Sequence, residues 1–591
     1  MKNQKRFNIF INGKKLLAKE GNTILEVAKE NKIDIPTLCY HSDLTTKATC
    51  RICVVEIEGQ KGLMTSCSTK AEPEMKILTD SPKVRRARKI NLELIFAQHC
   101  EECNDCVLNY NCQLLRLAEK YKVKITRFED RKKNYPEYQF GPAVFFDSKK
   151  CIDCRNCIEA CALQNVNFLE LESGELFNKV VPSNKNNIDC IYCGQCIVHC
   201  PVGALEAVGE FEDVEKPLRE KGKKVIFQIA PSIRSSIGEE FNMEPGSVVT
   251  EQIVAGIKKL GAYMVFDTST GADFTTTEEA KELMEKLKKG CGPCLSSCCP
   301  AWVKFLEFNF PELLPNVATT RSPQSILGGL IKTYWAEKEK INPKDIIVVS
   351  VMPWVAKKYE IKRKELEING LAPVDYVLTT RELARLFKNH KINLKTIKPI
   401  KIDNPLGDYS GAGVIYGASG GVMESALRTA LDITENKKLP KLEFKEVRGM
   451  ERVKKAKVKI GKKTVKVAVV NGMQDALKII EEIKKNPKAY DAIEVMACPG
   501  GCIGGGGQPL PADSEIRRKR AESLYKIDDK KKLRLAHKNP VVEKVYAEFL
   551  TSKDIIHNIC HTKYSRKSKE NKIYANNQSF KLQKRDSDLI N

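Results

Sequence analysis

Of the 591 residues, 23 are cysteine, and their placement constrains the fold more than any other feature. They stand in tight groups separated by long stretches with none. Within the groups the spacing C-x2-C recurs, which brings two thiolates from one turn of chain to one metal centre. A secreted disulfide scaffold is short and has no need of that spacing. The cysteines therefore read as ligands and the compartment as reducing. A chain this long exceeds what one core can organise, so several domains are expected. Met1 to Lys15 holds no apolar core of signal-peptide length, and no run of 18 apolar residues occurs anywhere. The expectation is a cytoplasmic protein without a membrane span.

Residues 6–15 read as a strand entering a turn at Asn12-Gly13, with a second strand and a helix over Asn22 to Lys32 after it. Cys39, Cys50, Cys53 and Cys67 come next, spaced C-x10-C-x2-C-x13-C, and four thiolates are what one 2Fe–2S cluster requires. The spacing resembles the plant-type ferredoxin-like domain at the front of hydrogenases and of complex I large subunits, which implies a β-grasp domain over 1–82. The same two families carry H-x3-C-x2-C-x5-C to hold a 4Fe–4S cluster. Here His99, Cys103, Cys106 and Cys112 have that spacing, which implies a small helical domain over 83–125, with Cys100 as a spare. Beyond these stand two copies of C-x2-C-x2-C-x3-C, over Cys151, Cys154, Cys157, Cys161 and over Cys190, Cys193, Cys196, Cys200. In the two-cluster bacterial ferredoxin pattern the fourth cysteine of each run serves the other cluster. Cluster one is then Cys151, Cys154, Cys157 and Cys200, and cluster two is Cys190, Cys193, Cys196 and Cys161, in a domain over 140–212. Zinc suits an isolated C-x2-C pair, but eight cysteines in this register argue against it.

After Cys200 no cysteine occurs for 90 residues, and from about Glu215 the composition changes. Val225 to Ile229, Tyr263 to Phe266 and Ile346 to Ser350 read as strands alternating with amphipathic helices such as Thr277 to Lys289, which is α/β patterning. The fold class is multidomain, α+β in front and α/β behind. From Lys567 to Asn591 the tail is polar and reads as disordered.

The second half resembles the iron-only (FeFe) hydrogenases. Ser296-Ser297-Cys298-Cys299-Pro300-Ala301-Trp302 is similar to their first motif, Met352-Pro353-Trp354-Val355-Ala356-Lys357-Lys358-Tyr359-Glu360 to their second, and the stretch from Glu494 through Cys498 and Cys502 to Pro509 to their third. The resemblance implies a catalytic domain over 220–566 and an H-cluster, a 4Fe–4S cube joined to a two-iron centre carrying carbon monoxide, cyanide and a dithiolate. It implies Cys299, Cys498 and Cys502 as cube ligands, with Cys502 bridging to the two-iron centre. It implies Cys298 as the thiol that passes protons to the bridging amine and Lys357 as the ammonium beside a cyanide. Ala230, Pro231, Ser232 and Gln324 would lie near the cyanides, and Met352 and Met496 would line the pocket. For a methionine, plain core packing is the usual alternative. Glu279 and Glu282 match two relay carboxylates; by themselves they read as a solvated helix face.

Two departures stand out. The second motif of the family reads Met-Pro-Cys, and here Trp354 takes the place of the cysteine, so the cube loses one ligand. Cys291 or Cys294, just ahead of the first motif, is the candidate replacement. An ungapped count places Ala318 where the family carries a serine of the relay, so water or Thr319 must serve there.

The leading function is a hydrogenase exchanging electrons with ferredoxin or a similar acidic carrier through the front clusters. Its competitors are a hydrogen or redox sensor with an impaired cluster and a complex I-like electron-transfer subunit. Maturation proteins are implied, a partner subunit carrying flavin and NAD is an open option, and no nucleotide fold of its own is apparent. The formal charge of +24 comes from Lys and Arg scattered through every segment. That is a solvated surface able to steer an acidic partner rather than a nucleic-acid site.

Overall fold

The computed structural model describes residues 5–99, 106, 108, 112–124, 127–129, 131–132, 134–174, 178–290, 292–435, 442–569 and 574–576; Cys100, Cys103 and Cys291 lie outside them. The front of the chain folds as expected. Strands Arg6–Ile11 and Lys14–Lys19 form a hairpin, with Asn12 (φ 52°) and Gly13 (φ 78°) both left-handed, as a two-residue type I′ turn demands. Thr23 and Glu26 close a capping box on helix Ile24–Glu30, each satisfying an orphan amide of the first turn. The helix packs on a mixed five-stranded sheet whose order is Lys14–Lys19, Arg6–Ile11, Lys76–Leu78, Val54–Ile57, Leu63–Thr65. Helix Pro82–Phe96 then fastens this unit to the segment around Tyr121. Its buried Arg88 donates to the carbonyls of Ile52 and Val54 and to the Tyr121 hydroxyl.

A four-stranded antiparallel sheet comes next, ordered Leu205–Ala207, Val144–Asp147, Glu137–Phe140, Tyr574–Asn576. The last strand corrects an expectation. It belongs to the polar tail expected to be disordered, yet it pairs antiparallel with Glu137 to Gln139. An edge strand can be recruited by backbone hydrogen bonds alone, so its polar composition gave no warning.

Two sheets organise the second half. One is fully parallel, ordered Met264–Asp267, Lys224–Ile229, Ile346–Met352, Tyr376–Thr379. The other is Cys294–Leu295, Ala492–Met496, Lys463–Asn471, Val453–Ile460, parallel except for its last pair. Between them runs helix Thr268–Lys289, capped by Asp267 and ended by left-handed Gly290. It starts nine residues before the periodicity suggests, because its first turns are small and polar residues, Thr268 to Asp273, that are nonetheless buried, with Asp273 bonded to Ser410 and Asn539. Gly271 is required there: a Cβ would sit 2.2 Å from the Pro323 carbonyl of the neighbouring helix. Glu279 is buried and Glu282 half-buried, so the face they share is not the solvated surface that the two carboxylates by themselves suggest.

The C-terminal helices Ser514–Lys530, Pro540–Glu548 and Lys553–Cys560 strap the assembly. Arg520 pairs with Glu239, and Asp528 meets Arg428 in a fully buried pair. Arg517 reaches Asp43 of the N-terminal unit, where His41 and His199 also converge.

Candidate active site and its cluster sites

The strands explain where the site is. Ala230, Pro231 and Ser232 follow Lys224–Ile229, Thr268 follows Met264–Asp267, Pro353 and Trp354 follow Ile346–Met352, Ala497 and Cys498 follow Ala492–Met496, and Cys298 lies three residues past Cys294–Leu295. All line one cavity. Crevices outside the carboxyl ends of parallel strands are where such sheets bind ligands.

Every residue expected near the two-iron group lines this cavity: Ala230, Pro231, Ser232, Gln324, Met352, Met496 and Lys357, together with the thiols of Cys298, Cys299, Cys498 and Cys502. The Cys299 sulfur accepts from the Ala497 amide at 3.4 Å. The Lys357 ammonium is held between Glu360, at 2.9 and 3.1 Å, and the Cys298 carbonyl at 3.3 Å. Three lining polar atoms, Ser232 Oγ, Thr268 Oγ1 and Gln324 Oε1, are buried with no hydrogen-bond partner in the protein. Each such atom costs about 1–3 kcal/mol when nothing accepts or donates to it. A largely apolar cavity with soft sulfur donors, one ammonium and a few unmet polar atoms fits a bulky metal group with small polar ligands.

The fit has one gap. Trp354 stands where the fourth thiolate is expected, 4 % exposed, its ring 5.8 Å from the Lys357 ammonium. Its Cβ lies against Gly505, which has no room for a side chain of its own. Cys294 does not fill the gap. It does not line the cavity but packs among Ala280, Leu283, Ala318 and Met423.

A polar file leads away from the cavity. Cys298 packs against a small cluster that includes Tyr416, whose hydroxyl donates to Glu279 at 3.3 Å and accepts from Thr276 at 2.9 Å. Burial, reinforced by Glu282, pushes the Glu279 carboxyl up to about 8. Ala318 offers nothing beyond, as anticipated. Thr319 and Thr320 each bond Glu282 through both amide and hydroxyl, at 2.6 to 3.1 Å. His561 lies between Glu278 (3.0 Å) and Glu282 (3.3 Å). Burial opposes a charged imidazole, but the two carboxylates prevail and hold His561 up at about 9. Burial likewise raises Glu282, and bonds from His561, Thr320 and Thr319 outweigh it, leaving the carboxyl below its ordinary value. Sequence reasoning misses Tyr416, Thr268, Thr276 and His561. They belong to no motif, and only the fold brings them together.

The front cysteines gather as their spacing suggests. Cys53 and Cys67 stand 3.3 Å apart, sulfur to sulfur, with Cys39 hydrogen-bonded to Cys50 beside them. His99 Nδ1 lies 2.8 Å from the Lys150 carbonyl, the kind of backbone contact that orients a ligating imidazole; Cys106 and Cys112 are within electrostatic reach of one another, and Cys103 lies outside the described residues. Cys161 shares a small cavity with Cys190, Cys193 and Cys196, while Cys200 falls with Cys151, Cys154 and Cys157. No described cysteine is in a disulfide. Gly194 (φ 71°) meets Gly506 backbone to backbone, and this close approach sets the Cys498 sulfur 3.9 Å from the Cys193 carbonyl.

Fold and site define an iron–sulfur redox protein with a buried cofactor cavity at the end of a row of cluster sites. The comparisons specify the class. Residues 223–506 match the iron only hydrogenase large subunit, C-terminal domain. Ahead of it are matches to a 2Fe-2S iron-sulfur cluster binding domain (4–82), the NADH-ubiquinone oxidoreductase-G iron-sulfur binding region (88–127) and a 4Fe-4S dicluster domain (150–204). The chain is 39% identical over 580 residues to the NADP-reducing hydrogenase subunit HndD of Solidesulfovibrio fructosivorans, covering 95% of this chain and 99% of that one. Iron hydrogenase 1 of Clostridium pasteurianum is 38% identical over 572 residues, 94% of this chain and 100% of the relative. Among solved structures, apo FeFe-hydrogenase HydA1 from Chlamydomonas reinhardtii aligns with a TM-score of 0.55 at 35% identity, covering 61% of this chain and 99% of that one. The chain belongs to the iron-only hydrogenases. Residues 514–572 further match the iron hydrogenase small subunit. The sequence motifs place this segment at the end of the catalytic domain and the start of a tail; it carries the strapping helices and His561.

Proposed function

We propose that this protein is a reversible hydrogenase, joining two protons and two electrons to hydrogen at the cavity, with the electrons arriving through the front clusters. The observation that carries this reading is the convergence of Cys298, Cys299, Cys498, Cys502 and Lys357 on one buried cavity that adjoins the Cys193 site. Cys299, Cys498 and Cys502 would hold the cube, with Cys502 also meeting the two-iron centre. When bound, that group supplies the redox chemistry of hydrogen. The chain's own work is orientation and proton handling. Lys357, fixed by Glu360, aims its charge into the cavity, and Ser232 and Gln324 offer hydrogen bonds there. Met352 and Met496 exclude water. Cys298, Glu279 and Glu282 pass protons between the cavity and the surface, and Glu279, held up at about 8, titrates close enough to the working pH to suit that task. Trp354 leaves the cube with three protein ligands, so we expect slower turnover rather than a lost site.

The cofactor set we propose is one 2Fe–2S cluster on Cys39, Cys50, Cys53 and Cys67, one 4Fe–4S cluster on His99, Cys103, Cys106 and Cys112, two in the ferredoxin region, and the H-cluster. Electrostatic contact of Cys154 with Cys39, and of the Lys150 region with both His99 and Cys106, supports two entry points joining at cluster one. The partner is an acidic ferredoxin-like carrier at a cytoplasmic location, with maturation proteins supplying the two-iron centre. A partner subunit for NADP is a second option, motivated by the name of the HndD relative. No helix among the described residues is long and apolar enough to cross a membrane. The test is an anaerobic hydrogen assay on matured protein with reduced ferredoxin, and separately with reduced nicotinamide nucleotide. Turnover with ferredoxin alone supports the first donor. No turnover with either, despite filled front clusters, rejects the reading.

A further inference from the structure

The proton relay has a break at its inner end. No hydrogen bond joins the Cys298 thiol to Glu279, and the two must exchange protons for the cavity to be supplied. Among the described residues one protic side chain joins Glu279 to the cavity. Tyr416 lines the cavity beside Cys298, belongs with Ala272, Val422 and Met496 to a small cluster against which Cys298 packs, and provides through its hydroxyl the only hydrogen bond to the Glu279 carboxyl among the described residues. The other Glu279 oxygen is buried and unpartnered. The phenol is fixed from behind by the Thr276 hydroxyl, which donates to it at 2.9 Å.

We infer that the Tyr416 hydroxyl is the group through which Glu279 and the Cys298 thiol exchange a proton. This rests on the hydrogenase reading. In the inward direction the Glu279 carboxyl gives its proton to the phenol oxygen as the phenol gives its own to the Cys298 thiolate. The phenol ends neutral, the thiol is restored, and Glu279 is left as a carboxylate to be reprotonated from the Glu282 side. No electron moves. The surroundings favour this hand-over. Burial pushes the phenol well above its ordinary range, so it does not rest as a phenolate, and Glu279, held up at about 8, is protonated at neutral pH and has a proton to give. Thr276 occupies one lone pair of the phenol oxygen; when the phenol proton, which rests on the Glu279 side, turns to the thiolate, the second lone pair is left to accept from Glu279.

The test is Tyr416→Phe in matured holoenzyme, which removes the hydroxyl and keeps the ring. Turnover should fall about tenfold or more, the scale of a lost proton-transfer group, and its solvent isotope effect should grow, while iron content and the cofactor's infrared bands stay as in the parent. In infrared difference spectra the Glu279 C=O band is expected to respond to the active-site redox state in the parent and to cease to respond in Tyr416→Phe. Turnover within about twofold, with an unchanged isotope effect and a band that still responds, overturns the inference. Should Tyr416→Phe lose iron, Thr276→Val decides: a smaller loss with the same isotope signature supports the step, and parent behaviour overturns it. Glu279→Gln separates this claim from the one beneath it. A fast Glu279→Gln enzyme sinks the relay itself, whereas a slow one beside a fast Tyr416→Phe sinks only the role of the phenol.

Discussion

Lys304 and Asp189 form an ion pair of 2.9 Å with both side chains 1 % exposed, where the two-cluster region meets the catalytic domain. Lys304→Met keeps the stem and removes the charge, leaving the Asp189 carboxylate buried beside Cys190 without its ammonium. Breaking a buried pair from one side costs about 3–5 kcal/mol, roughly a hundred- to a few-thousand-fold in the equilibrium that keeps the surfaces together. The interface carries its own reporter: the Met473 amide donates to the Gln164 side chain across it at 3.2 Å. Hydrogen exchange at that amide should speed up by this factor in Lys304→Met and recover most of its protection in Lys304→Met with Asp189→Asn. Electron delivery from a dye to the cavity should weaken in parallel, because the same surfaces set Cys498 against Cys193. A change of less than about tenfold, or a double variant no better than the single, refutes the claim that this pair fastens the interface.

Further outcomes are expected. Cys161→Ser should abolish the magnetic signal of the cluster on Cys190, Cys193 and Cys196 and spare that on Cys151, Cys154 and Cys157; the reverse would refute the crossed ligation. His561 gains its stabilisation from Glu278 and Glu282, so its folded-state value is raised to about 9. That contribution is complete below about pH 6.5 and lost as pH rises through 9. His561→Gln should therefore lower the Tm at pH 6, by an amount reflecting about 1.5–3 kcal/mol for lost charged hydrogen bonds, and change it little at pH 10. An equal loss at both would contradict the pairing. Trp354→Cys should make the cavity cube more resistant to oxidative iron loss, followed by electron paramagnetic resonance. It should also destabilise the cluster-free protein by about 3–5 kcal/mol through the space left by the indole. Unchanged iron retention would show that position 354 does not face the cube.

Much of this was legible because ligand chemistry writes itself into spacing. The crossed assignment of Cys161 and Cys200 could be read from the runs themselves, and the hairpin at Asn12-Gly13 from its turn residues. What stayed hidden depended on contacts between distant segments. Glu279 looked like a surface residue because a helical face records polarity, not what covers it. Tyr416 and His561 meet that helix from more than a hundred residues away. The strand Tyr574–Asn576 was invisible because it forms by backbone pairing with the distant segment Glu137 to Gln139. The loss of a ligand at Trp354 was plain in the sequence, but whether Cys294 could compensate was not. The fold packs Cys294 with Ala280 and Leu283, apart from the residues lining the cavity.

The central claim is that this chain holds a cube beside a two-iron centre at Cys502. Infrared spectroscopy of anaerobically matured protein tests it most directly, since metal-bound carbon monoxide and cyanide absorb where protein does not. The account predicts both sets of bands in the parent and their loss in Cys502→Ser with the front clusters intact. A parent sample with every front cluster filled and no such bands would contradict it.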